Sequence, residues 1–241
     1  MSRFLLCLAI ASALAAAGPA QDFGKPIQGQ VQIGLHEFTL SPDSAYIVRL
    51  SSRKYLHDLY LGETFTQVGA TTYPDEKGAQ NETGVRELFC SPVKECKVAV
   101  RVTPAGGLPG GPQPYTLVVE RHKLSKKPLL QVKGKLTAKD RPAPDKSIGK
   151  HYPVQLVKGR LYVAEMTIDA KGELAAPGFG RAGEPADWSN FLTGSEKRGH
   201  PARCVFRPKY DGKYHAMAEL FGDVAEAGCS YTLTVYQETK D

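Results

Sequence analysis

Cysteine, tryptophan and long apolar runs are all scarce in this sequence of 241 residues, which has five cysteines and one tryptophan. After residues 1–20 no stretch approaches the roughly 18 consecutive apolar residues of a membrane-spanning helix, which excludes a multi-pass membrane protein. Charged residues at 23% and hydrophobic ones at 41% exclude a disordered or collagenous chain. Catalytic signatures are missing too: there is no Gly-x-Ser-x-Gly, no His-Glu-x-x-His, no phosphate loop and no Gly-x-Gly-x-x-Gly after a strand. The glycine-rich Gly106-Gly107-Leu108-Pro109-Gly110-Gly111 lacks a Lys-Ser/Thr ending and reads as a strand connection. No Cys-x-x-Cys occurs and no histidine stands at zinc-ligand spacing from the cysteines, so no metal or cofactor is expected.

What is present begins with an address. Met1-Ser2-Arg3 is a short positive segment, Phe4 to Ala17 is apolar, and small residues lead into Gln21-Asp22, the pattern of a secretory signal peptide cleaved after Ala20. The mature chain is then expected to be soluble and exported, periplasmic or extracellular. Export turns the remaining cysteines, Cys90, Cys96, Cys204 and Cys229, into expected disulfide partners, with three connectivities open and local pairing expected. Cys204 with Cys229 would close a loop of about 25 residues, a constraint of about 3 kcal/mol in the chain-entropy model.

The mature chain is written twice. A shift of 116 positions, without gaps, lays Leu40 on Leu156, Tyr46 on Tyr162, Pro92 on Pro208 and Lys97 on Lys213. The same register reaches Tyr115-Thr116-Leu117 on Tyr231-Thr232-Leu233 and Val119 on Val235. Two copies of one unit of about 100 residues follow, residues 25–121 and 129–237, joined by a basic linker at 122–128. Within each copy the apolar period is two: Tyr46, Val48, Leu50 and Tyr162, Ala164, Met166 read as half-buried strands. Asp211-Gly212 reads as a two-residue hairpin turn, replaced in copy one by Glu95-Cys96, where a Cys90–Cys96 bridge would stabilise the turn. No window outside the leader shows an amphipathic helix, so the expected fold is all-β, a β-sandwich repeated in tandem.

A family resemblance rests on copy two. Gly134-Lys135-Leu136, the strand His151 to Leu156 ending at the Gly159-Arg160-Leu161-Tyr162 step, the segment Pro208-Lys209-Tyr210-Asp211-Gly212-Lys213-Tyr214 and the strand Gly228-Cys229-Ser230-Tyr231-Thr232-Leu233-Thr234-Val235 resemble the bacterial pre-peptidase C-terminal domain. Copy one keeps the Tyr46 strand, Pro92 and the Tyr115 to Val119 strand but lacks the hairpin glycine. The resemblance implies a jelly-roll-like β-sandwich, usually appended to secreted enzymes and itself non-catalytic, with some members binding calcium or polymers such as collagen and polysaccharide. The calcium sites do not carry over. Where that family clusters aspartates, this chain has only Asp75-Glu76 and Glu184 with Asp187, too few oxygens for a hard cation and read as solvated loop residues.

The candidate ligand surface is aromatic: Trp188 in one loop, and Tyr55, Tyr60 and Tyr73 in copy one. The structural reading of Trp188 is a plug closing the sandwich end. The candidate polyanion contact is Lys123, Lys126, Lys127 and Lys133. Between Lys123 and Lys146 seven lysines and Arg141 face Asp140 and Asp145, a local excess equal to the whole formal net charge of +6. The strip lacks interleaved aromatics and the chain is expected to be exported, so nucleic acid is not the expected partner; an envelope polymer, extracellular polysaccharide or exported protein is. Edge lysines also discourage strand-to-strand aggregation, the structural reading of the same residues. The expected function is an exported non-catalytic structural or binding module, its two units semi-independent. The alternative is a secreted hydrolase assembled from dispersed residues such as His57, Asp58 and His215.

Overall fold

The computed structural model describes residues 23–31, 34–52, 57–62, 84–104, 113–137, 139–140, 148–169, 174–181, 201–221 and 228–239. The leader, Tyr55, Tyr73, Asp75, Glu76, Glu184, Asp187 and Trp188 lie outside them. Among the described residues every regular element is a strand and there is no helix. The first half of the chain carries β1 (Ile27–Val31), β2 (Gly34–Leu40), β3 (Ser44–Ser52), β4 (His57–Gly62), β5 (Gly84–Cys90), β6 (Cys96–Pro104) and β7 (Gln113–Lys123). The second carries β8 (Leu130–Leu136), β9 (Ile148–Leu156), β10 (Tyr162–Ile168), β11 (Leu174–Gly180), β12 (Ala202–Phe206), β13 (Gly212–Phe221) and β14 (Cys229–Gln237).

Each half forms a four-stranded and a three-stranded antiparallel sheet, a β-sandwich-like pair. The orders are β1-β7-β3-β5 with β2-β6-β4, and β8-β14-β10-β12 with β9-β13-β11. Moving seven strands along the chain converts one set into the other. The registers agree as well: Tyr46 opposite Cys90 and Leu50 opposite Leu117 become Tyr162 opposite Phe206 and Met166 opposite Leu233. The first strand of each half follows a different shift, with Gly29 opposite Tyr115 and Gly134 opposite Tyr231. The second half therefore has a longer connection between its first two strands. Both glycines are there for a packing reason, since a Cβ at either position would run into the tyrosine ring of the neighbouring strand.

Within each half, successive strands alternate between the two sheets, so no strand pairs with its sequence neighbour. This corrects the hairpin reading of Asp211-Gly212: β12 and β13 lie in different sheets, and the turn carries the chain across the core. The positive φ of Gly212, 139°, serves that crossing. The Cys90–Cys96 connection crosses in the same way. Local turn chemistry announces a reversal but not which sheet the next strand joins, because sheet choice depends on distant burial.

Alternation places Phe38, Leu40, Tyr46, Val48, Leu50, Val98, Val100, Leu117 and Val119 in the core of the first half. Val154, Leu156, Tyr162, Ala164, Met166, Tyr214, Leu233 and Val235 fill the second. β10 and β12 are covered on both faces, and so is the first part of β3. Their second faces meet in a third apolar layer, where Ala45, Ile47 and Phe89 of the first half pack on Leu161, Val163 and Val205 of the second. The expectation of semi-independent units is thereby corrected: the four-stranded sheets stack back to back, and the three-stranded sheets lie outermost.

The joint is two-fold in position. Ala45, Ile47 and Phe89 occupy the same repeat positions as Leu161, Val163 and Val205 that they meet. His122 Nδ1 lies 2.9 Å from Oε2 of its own repeat counterpart, Glu238. At the axis Thr239 N–H donates to Lys123 O at 2.8 Å, again between counterparts. Such self-matching is the geometry of an isologous dimer interface, realised inside one chain. The chemistry is not two-fold. The cross-strand pair Arg49–Glu87 of the first half is reversed to Glu165–Arg203 in the second. Arg203 is buried, and its Nη1 donates to Pro42 O (2.7 Å), Pro92 O (2.6 Å) and Ser91 Oγ (3.1 Å) across the joint. The symmetry mate of its contact with Ser91 is the Arg207–Glu87 ion pair, with the Arg207 guanidinium 5.0 Å from the Phe89 ring centroid.

Candidate functional site

The cysteines offer no site. No disulfide joins any two of the four. Cys204 faces Ala164, which faces Val235, whereas Cys229 sits six residues away along β14, opposite Leu136. At about 3.3 Å per residue that is on the order of 20 Å, well beyond disulfide reach, so the expected Cys204–Cys229 bridge is corrected. Cys90 and Cys96 both reach the first core, and burial pushes the Cys90 thiol far above its usual range, which makes it a poor nucleophile.

The histidines do not assemble as expected either. β4, with His57 and Asp58, belongs to the outer sheet of the first half, and β13, with His215, to that of the second. Both stacked four-stranded sheets stand between them. What the structure does bring together is His151 and Glu219: Nε2 and Oε1 are 3.1 Å apart, the carboxylate side chain is 1% exposed, and the His215 ring centroid is 6.3 Å from that of His151. The buried carboxylate orients an exposed imidazole. Among the described residues no cluster of His, Cys, Asp and Glu is able to hold a metal ion. This pair was not visible in the sequence, because its members lie 68 positions apart and only the β9–β13 register makes them neighbours. His36 Nε2 hydrogen-bonds the Tyr115 hydroxyl at 2.6 Å, and burial holds the imidazole below its ordinary value of 6.5. Its counterpart Tyr152 hydrogen-bonds the Tyr231 hydroxyl in the same place, and burial, with Tyr152 second, drives Tyr231 well above the usual phenol range.

The lysines form a coherent feature. After β7 the chain stays beside β14, with Leu124 bridging Glu238, then bulges at Lys126-Lys127-Pro128 and continues as β8. The Ser125 hydroxyl donates to Lys127 O (3.0 Å) and accepts from Lys127 N–H (3.2 Å), which fixes the bulge. β8 is a sheet edge; its Val132 packs on the core while Gln131, Lys133 and Lys135 face solvent. Lys123, Lys126, Lys127 and Lys133 are all exposed. Among the described residues none of these four has an ion-pair partner, whereas Arg49, Arg121, Arg203 and Arg207 each hold a carboxylate. Asp140, an acid of this strip, is taken by Lys150 at 3.2 Å. Of the aromatic candidates only Tyr60 lies within a described strand, on β4; Trp188, Tyr55 and Tyr73 lie outside the described residues.

A second exposed feature went unnoticed in the sequence. Tyr210, in the β12–β13 turn, is 52% exposed. Behind it runs a stack from the core outward. Phe179 and Phe206 lie face to face at 5.1 Å, and Phe206 meets Tyr214 edge-on at 5.5 Å. The Arg181 guanidinium stands 5.9 Å from the Tyr214 ring centroid and 5.1 Å from that of Tyr210. Tyr214 also donates its hydroxyl hydrogen to Tyr210 O at 3.1 Å. The neighbouring β9–β10 turn is tied to this one by Gly159 N–H to Pro208 O (2.9 Å) and Lys158 N–H to Asp211 Oδ1 (2.6 Å). An aromatic inside a Pro-Lys-Tyr-Asp-Gly turn was the available signal.

No family model and no curated protein matches the chain. Fold and surface together define an all-β protein of paired antiparallel sheets, and among the described residues no helix is long and apolar enough to cross a membrane.

Proposed function

We propose that the chain is an exported, non-catalytic protein of two tandem jelly-roll-like sandwiches of pre-peptidase C-terminal type. In this reading it acts at the cell envelope or outside the cell as a binding module for an acidic polymer. The carrying observation is a division among its cations: Arg49, Arg121, Arg203 and Arg207 hold carboxylates of the chain itself, while Lys123, Lys126, Lys127 and Lys133 stand along one edge without a described partner. Unpaired cations in a row raise the local concentration of a polyanion, and that attraction weakens with salt. The test is retention of the full chain on immobilised alginate in a salt gradient. Wild type is expected to elute late and the variant K123Q/K126Q/K127Q/K133Q markedly earlier; co-elution of the two, or no retention, overturns the reading.

The alternative of a secreted hydrolase draws its support from the His151–Glu219 pair, whose imidazole is exposed. Turnover of chromogenic ester, glycoside or peptide substrates that disappears in His151→Gln would establish it.

A further inference from the structure

We propose that the tip of the second half is a separate binding site for the uronic-acid unit of an acidic oligosaccharide, with Tyr210 as the stacking surface and Lys158 and Lys209 as partners of the sugar carboxylate. The inference rests on the polymer-binding reading above but uses other residues. A pyranose ring offers a face of C–H groups to an exposed aromatic, and a half-exposed tyrosine ring in a turn is the surface such a face needs.

Three features make Tyr210 more than a stray surface aromatic. Its position is pre-set by the Phe179–Phe206–Tyr214–Arg181 stack, so little ordering cost falls on binding. The two turns that form the tip are cross-tied through Pro208 and Asp211, which places Lys158 beside the Tyr210 turn. The charge is net positive. Lys158 and Lys209 are exposed and the Arg181 guanidinium stands by the ring, against one acid of these turns, Asp211, whose Oδ1 accepts the Lys158 backbone N–H. That charge favours an acidic sugar over a neutral one. Val157, 48% exposed, widens the apolar surface of the same tip.

The first half lacks the arrangement. Where the second has Phe206, Tyr214 and Tyr210, the first has Cys90, Val98 and Lys94 at matching positions. The site is therefore single, and a saturating titration of the full chain with a short ligand is expected to give one equivalent.

The probe is tetragalacturonate, titrated calorimetrically into the full chain, with its methyl-esterified form and polyglutamate as controls. Tyr210→Ala is expected to weaken tetragalacturonate binding about tenfold or more, Tyr210→Phe to leave it within about twofold, and K158Q/K209Q to weaken it and flatten its salt dependence. Methyl esterification is expected to weaken binding in wild type. The inference is overturned by wild-type affinity in Tyr210→Ala, by equal binding of the esterified sugar, or by no binding of tetragalacturonate. The quadruple lysine-edge variant separates the two readings. If it binds tetragalacturonate like wild type but is retained on alginate unchanged, the edge reading fails and the tip survives. If tetragalacturonate ignores the tip while alginate retention still depends on the edge, the tip inference alone fails.

Discussion

The two halves share every strand pairing and differ in the groups that those pairings display. Gly29 under Tyr115 and Gly134 under Tyr231 are the same solution twice, because the close approach of a ring to backbone leaves no room for a Cβ. Ser41 N–H to the Tyr46 hydroxyl (2.7 Å) and Val157 N–H to the Tyr162 hydroxyl (3.0 Å) repeat one tyrosine-to-turn bond. By contrast His36 stands where Tyr152 does, Cys90 where Phe206 does, and Arg49–Glu87 where Glu165–Arg203 does. Positions that fix topology have been kept while positions that set charge, titration and surface have diverged. The reversal leaves the Arg203 donors to Pro42 O and Pro92 O without a mate across the joint, since the counterpart Glu87 has none to give.

The sharpest way to break the comparison is Arg203→Met. It leaves the Glu165 carboxylate and three acceptors of the first half without their guanidinium, at a cost of about 3–5 kcal/mol by chemical denaturation. The counterpart Glu87→Gln, with its ion pairs part-exposed, is expected to cost about 1 kcal/mol or less. Equal costs would mean the joint is chemically symmetric after all. Ile47→Ala comes next, at about 2–4 kcal/mol. Because Ile47 belongs to the shared layer, a single thermal transition should shift as a whole; a split into two transitions would show that the halves unfold separately.

Gly29→Ala and Gly134→Ala are expected to cost a similar amount each, about 1–3 kcal/mol, from overlap with Tyr115 and Tyr231. A large inequality would reveal that one ring is able to move. The smallest effect is a titration. Burial holds His36 below its unfolded value of 6.5, so the fold favours the neutral ring; the stability this gives is present above pH 6.5 and is lost as pH falls through the window below it. His36→Tyr, which copies the second half, should reduce the loss of melting temperature between about pH 7.5 and about pH 5. An unchanged loss would assign it to other groups. Asp43, held at about 2 by the Ser41 and then the Ser44 hydroxyl, with Arg121 adding to both, acts in a different window, losing its contribution only as pH falls from its ordinary 3.8 toward 2.

Much of the fold was legible in the sequence. The alternation in Tyr46-Ile47-Val48-Arg49-Leu50 predicts a strand, and the 116-residue register predicts that what one half does the other repeats. The solvent-facing Lys133 and Lys135 of β8 followed from the same period. The crossing of β12 to β13 was not legible, since Asp211-Gly212 has the composition of a hairpin and its flanking strands gain more by burial in different sheets. The joint left a trace that is clear in retrospect: in Ala202-Arg203-Cys204-Val205-Phe206 the apolar Val205 lies on the face opposite Ala202, Cys204 and Phe206, and all five residues are buried.

The sequence by itself determined a duplicated all-β chain, its strand faces and a basic edge, because side-chain period and local charge are properties of neighbouring residues. Only the tertiary structure decided which strands pair, that the halves share a core layer, that His151 meets Glu219, and that Tyr210 crowns an aromatic stack. Those depend on residues tens to more than a hundred positions apart finding a common dry surface, and that choice is made by total burial and not by any local preference.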